Sequence, residues 1–173
     1  MKNKYSELLN KSVDRLFLIL WPPFGEEKIS DIDISVGLVF DDNSNLLFVL
    51  TSDEEDRWSP IIIHEDIPSL IYPMEDFDER VKRWMMSEEI GDFELEYYEA
   101  NKDGKFSTIL GKEIKEIKLF KVEHIDSVFG IKLIFDNDYI LSLSNMDGNT
   151  IETSKFNKSD KFISVAFINL KKI

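Results

Sequence analysis

The chain has 173 residues, 43% of them hydrophobic and 12% aromatic, a composition that excludes intrinsic disorder. It has no cysteine, which excludes disulfide frameworks and thiolate metal sites, and no run approaches the roughly 20 apolar residues of a membrane helix. The net charge of −13 sets the chain against nucleic-acid phosphate and leaves a basic partner, or plain solvation, as the meaning of the charge.

At this length a chain buries roughly 70% of its unfolded surface, so residues 1–173 are expected to form a single domain that needs no staple. The opening lysines are not followed by an apolar run long enough for a signal peptide, and a cytoplasmic location is expected. "YSELLN" reads as a short helix near the start.

The next stretch, "LLNKSVDRLFLIL" from Leu8, returns as "ILGKEIKEIKLFK" from Ile109. At an offset of 101, Leu9 matches Leu110, Lys11 matches Lys112 and Leu18 matches Leu119. Downstream, "ISVGLVFDDNSNLLFVLTS" matches "FGIKLIFDNDYILSLSN" with a two-residue gap at the turn. Three blocks in the same order read as an internal duplication, with copies at 8–52 and 109–145.

Each copy reads as three strands, over 13–21, 34–40 and 46–51 in the first and 114–120, 130–135 and 139–144 in the second. The turns "DDNSN" and "DND" carry the Asn and Asp that tolerate left-handed backbone. Pro22 and Pro23 end the first strand. The run 16–21 is apolar on both faces and should be covered on both sides, with a helix as the expected cover. Ile117, Lys118 and Leu119 alternate instead, the mark of one wet face.

Between the copies, "PIIIHE" (60–65) reads as a strand. "MEDFDERVKRWMMSEE" reads as the one main helix, with Asp76 and Glu79 as a capping box and Phe77, Val81, Trp84 and Met85 on one face. "DFELEYYEA" (92–100) alternates Phe93, Leu95 and Tyr97 with Glu94 and Glu96, followed by an Asp103-Gly104 turn. Asp147-Gly148 marks another turn, and "KFISVAFINL" (161–170) a final strand. The expected class is α+β: mainly antiparallel β, built from two related β-meanders with one main connecting helix, in one sheet or two.

The charge is unevenly placed. Residues 1–52 carry −3, 53–104 carry −12 and 105–173 carry +2. Acids and aromatics interleave in the connecting segment 53–104, as a recognition face for a basic protein requires: carboxylates steer the partner and aromatics anchor it. The candidate partner-binding residues are Asp53, Glu54, Glu55, Asp56, Trp58, Glu88, Glu89, Asp92, Glu94, Glu96 and Tyr98. Trp58 and Tyr98 are expected to be exposed, whereas Phe77, Trp84 and Phe93 follow a buried spacing.

Catalytic patterns are sparse. His64 and His124 are the only histidines and lack zinc-ligand spacing, and Glu65 points away from His64 along an extended chain. Asp41, Asn43 and Asn45 open like a calcium loop, but Leu46 and Ser52 stand where the loop needs Gly and Glu, so the stretch reads as a hairpin turn. There is no phosphate-cradling glycine loop, no G-x-S-x-G and no H-E-x-x-H. Glu75/Glu79 and Glu88/Glu89 are carboxylate pairs of the kind expected by chance in so acidic a segment.

The pattern "ILGKEIKEIKLFK…FGIKLIFDNDYILSLSN" resembles the small β-rich domains of bacterial immunity proteins from polymorphic toxin systems. The resemblance covers the two copies, and it transfers no individual residue. It implies a non-enzymatic inhibitor that neutralises a cognate toxin by binding it, with no cofactor. Two other classes remain open: a metal-dependent hydrolase using Asp31 and Asp33, and an oligomer-forming β module pairing through strand edges.

Overall fold

The computed structural model describes residues 4–21, 33–53, 59–86, 94–121, 128–145, 148–157 and 169–172. After a 3-10 turn at Ser6–Leu8, the elements are β1 (Val13–Leu20), β2 (Ile34–Phe40), β3 (Leu46–Ser52), β4 (Pro60–Asp66) and β5 (Tyr72–Pro73). A second 3-10 turn (Met74–Asp76) leads into α1 (Phe77–Met86). Then come β6 (Glu96–Glu99), β7 (Glu116–Lys121), β8 (Val128–Ile134), β9 (Tyr139–Asn145), β10 (Gly148–Glu152) and β11 (Asn169–Lys172). The described residues are mostly β, with one short α-helix among them. There are two sheets, ordered β4-β3-β2-β1-β6-β5 and β10-β9-β8-β7-β11. The pairing is antiparallel except between β5 and β6.

The expected strand triplets fall on β1–β2–β3 and β7–β8–β9. Asn43 and Asn45 in the first hairpin adopt φ of 58° and 56°, the left-handed backbone foreseen for that turn. Of the final strand expected over 161–170, the described part lies in β11, while 161–168 fall outside the described residues.

The main core lies between the sheets, where Leu16, Leu18 and Leu20 of β1 join Ile117 and Leu119 of β7 and Ile131 and Leu133 of β8. A second cluster covers the far face of the six-stranded sheet: Phe17 and Ile19 of β1, Val39 of β2, and Leu47 and Val49 of β3. Strand β1 is therefore buried on both faces, as its unbroken apolar run requires. Its outer cover differs from the expected helix: Trp21, Ile63, Ile67, Ile71 and Tyr97 pack there.

That cover follows from topology. Strands β4 and β5 are consecutive in sequence yet stand at opposite edges of the sheet. Five inter-strand steps span roughly 24 Å, while the six residue steps from Asp66 to Tyr72 reach at most about 22 Å. The connection at 67–71, bent at Ser69, therefore crosses a curled sheet as a strap, with Ile67 and Ile71 packed on the outer cluster and Leu70 61% exposed.

Among the described residues, hydrogen bonds join the sheets at two places. Ser12 and Glu113 form an isolated antiparallel bridge, flanked by Val13 N–H donating to the Lys112 carbonyl and Ile114 N–H to the Lys11 carbonyl, both at 3.0 Å. Elsewhere Asn149 is buried between the sheets. Its Nδ2 donates to the Ile34 carbonyl at 2.9 Å, and its Oδ1 accepts from Ser142 Oγ at 3.0 Å and Ser52 Oγ at 3.3 Å. Asp33 Oδ1 accepts from the Asn149 backbone N–H at 2.9 Å.

The helix begins differently from the expected capping box. Pro73 is the last extended residue (φ −68°, ψ 146°), and the chain turns helical at Met74, so Asp76 lies inside the 3-10 turn rather than at a cap. Proline suits this junction because it fixes φ and has no N–H to leave orphaned.

Candidate interaction surface

Among the described residues, exposed acids of the connecting segment gather where the Met74–Asp76 turn, the start of α1 and strand β6 meet. Strand β6 is narrow and covered on both faces, which inverts the alternation expected for it. Glu96, Tyr98 and Ala100 point to the main core, Tyr97 packs on the strap side, and Leu95 is exposed. A glutamate takes an inward position because a cation meets it there. Arg80 of α1 donates to Glu96 Oε1 from Nε at 3.0 Å and from Nη2 at 2.7 Å, and the Tyr98 hydroxyl donates to Oε2. The Glu96 partnership raises the Arg80 pKa, while burial, then the bond to Glu96, holds the Tyr98 phenol well above its ordinary range. The Tyr98 ring lies between Phe77 (5.2 Å, 86°) and Tyr72 (5.5 Å, 30°).

Two of the expected contact residues are therefore corrected. Tyr98 is 2% exposed and Glu96 7% exposed. They form a buried clamp for Arg80, not a surface that a partner could touch. Sequence spacing pointed the other way because the neutralising Arg80 lies 16 positions upstream, on a different element. Of the remaining candidates, Glu94 is exposed and Asp53 half-buried, whereas Glu54, Glu55, Asp56, Trp58, Glu88, Glu89 and Asp92 lie outside the described residues. Asp53 follows β3 beside the β4 edge, and Glu94 leads into β6; β2 and β1 separate the two strands, so these residues belong to different patches.

The acids that do converge are Asp14, Glu75, Asp76, Asp78 and Glu79, all exposed. Asp14 and Glu75 line an open groove of about 720 Å³, together with Arg15, Tyr72, Glu99 and Lys102. Asp76 and Glu79 line an adjoining cavity of about 200 Å³ walled by Tyr72, Arg80 and Tyr98. Both arginines are engaged: Arg15 meets Glu99 through Nε at 2.6 Å and Nη2 at 2.9 Å, and Arg80 meets Glu96. Asp78 also meets Lys105, at 3.3 Å in open solvent, where such a pair contributes little. Sequence reasoning saw the "MEDFDE" run but left it out of the contact surface. Its link to Asp14 comes from the shared groove, set up where β1 and β5 both pair with β6.

The other sequence candidates have structural partners. His64 is exposed, 3.3 Å from Glu7, with its ring on Phe48 at 4.6 Å. Glu65 accepts from the Tyr97 hydroxyl at 3.2 Å on the opposite side of β4, and the Tyr97 phenol is pushed up to about 12, by burial first and then by Glu65. Asp33 is held by Asn149, while Asp31 and His124 lie outside the described residues. Among the described residues, no group of three or more His, Cys, Asp or Glu side chains is placed to hold a metal ion, and no helix is long and apolar enough to cross a membrane.

Compared with protein-family models, curated proteins and solved structures, the chain matches none.

Proposed function

We propose that this is a non-enzymatic inhibitor of the immunity type, a cytoplasmic single-domain protein that holds a basic partner, such as a toxin domain, against the surface around Met74–Asp76. The observation that carries the reading is the imbalance there. Asp14, Glu75 and Asp76 face solvent, while Arg15 and Arg80 are taken up by Glu99 and Glu96 and Lys102 is the other cation of the groove. Such a surface draws in a cationic partner and orients it. In this reading the two meanders descend from one duplicated unit. The hydrogen bonds Val13–Lys112 and Ile114–Lys11 support it, because they exchange positions that are 101 residues apart.

The test is capture from source-cell lysate with wild type and a Glu75→Gln/Asp76→Asn/Glu79→Gln variant, followed by calorimetry on the purified captured protein. One basic protein held by the wild type, at least tenfold more weakly by the variant and with an affinity that falls with salt, is the expected result. Equal affinity for the two, or loss of no captured protein, overturns the assignment.

A further inference from the structure

We propose that the free edge of β4 is a strand-addition site for an extended basic segment of another protein. This surface is separate from the acidic groove and does not depend on it.

Four strand edges end the two sheets, and three are blunted as natural sheet edges usually are. Strand β5 is two residues long and contains Pro73. Strand β11 is four residues long and ends in Lys171 and Lys172. Strand β10 packs against β2 and β3, and Asp33 takes the N–H of Asn149. Strand β4 packs on the other sheet too, against β8 and β9, and its Pro60 carbonyl is taken, but it is neither short nor interrupted. It pairs with β3 over seven consecutive positions without a bulge and contains no lysine, and its proline is its first residue.

The phase of that edge is known. Asp53 N–H donates to the Ser59 carbonyl at 2.8 Å, so Ile61, Ile63 and Glu65 turn their backbone groups to β3 and Ile62, His64 and Asp66 turn theirs away. The first outward carbonyl, that of Pro60, is taken by the Tyr5 hydroxyl at 2.6 Å. No described residue takes the outward backbone groups of Ile62 or His64. Ile61, Ile62 and Ile63 are each only half-buried, three β-branched side chains that an added strand would cover on both faces.

Charge selects the occupant. Glu7, Asp53 and Asp66 lie about the edge, against Lys4 and His64. A second copy brings another −13 to the same place, whereas an extended segment with alternating lysines is attracted.

The experiment follows amide hydrogen exchange in the full-length protein titrated with the peptide Ac-KVKVKVK-NH2 and its glutamate counterpart. At saturating lysine peptide, exchange at Ile62 and His64 should slow at least tenfold, with no slowing from the glutamate peptide. His64→Pro removes an outward N–H without touching the β3 ladder and should abolish the effect. Ile61→Lys, which keeps every backbone hydrogen bond and repels the peptide, should weaken it in the same direction. Unchanged exchange at both amides, equal slowing by both peptides, or concentration-dependent protection in the protein alone, which would make a second copy the occupant, each overturns the proposal.

Discussion

Asn10 and Gly111, 101 positions apart, both carry left-handed backbone, with φ of 62° and 73°. Each sits where the chain enters the seam between the sheets: Asn10 N–H donates to the Ile114 carbonyl at 2.9 Å, and Gly111 N–H to the Val13 carbonyl at 2.7 Å. The two residue types that best tolerate this conformation occupy the two places that need it.

Gly111→Ala should therefore cost about 1 kcal/mol from backbone strain alone, because an added Cβ meets nothing within 4 Å. Gly111→Asn should cost less, and Asn10→Gly should be near neutral. Urea midpoints of the three variants check the order, and a sterically driven loss would instead make the asparagine variant the worst.

Arg80→Ala leaves Glu96 buried against Tyr98 without its cation, and should destabilise by about 2 kcal/mol, below the full cost of a broken buried pair because Arg80 is 37% exposed. Arg80→Ala/Glu96→Gln should recover part of the loss. Equal stability of the single and double variants in urea would show that Glu96 does not need the arginine.

Asn149→Ala should cost about 2–3 kcal/mol, since it leaves the Ile34 carbonyl and the hydroxyls of Ser142 and Ser52 short of a partner between the sheets. Thermal unfolding should show the loss, and the amides near Ile34 should lose hydrogen-exchange protection first.

Asp138 makes part of the stability depend on pH. Burial pushes its carboxyl up, but hydrogen bonds from Thr108, from the backbone of Ser154 and Tyr139, and from the Ser154 side chain outweigh burial and leave the pKa below the usual carboxylate value. Its contribution is therefore full above the unfolded value of about 4 and is lost as pH falls through the folded one. Asp138→Asn should be less stable than wild type at pH 7, with the gap narrowing below about pH 4. A gap that stays constant down to pH 2 would exclude the linkage.

The strands were legible because their signals are local. Apolar runs bounded by Asn/Asp turns mark β2, β3, β8 and β9, and the doubly apolar run of β1 implies cover on both faces. Strand β6 was misphased because its pattern, read alone, puts tyrosine and leucine inward and glutamate outward. Arg80 reverses that by supplying a charge from α1.

The sequence by itself determined the β-rich class, the strand triplets, the acidic connecting segment and the absence of cysteine chemistry, all properties of neighbouring residues or of counts. The tertiary structure alone decided that there are two sheets, that β4 and β5 take opposite edges with a strap between them, and which carboxylates are buried clamps and which face water. The reason is physical: the cost of burying a charge or leaving an edge open depends on what arrives from elsewhere in the chain, and short-range patterning carries no record of it.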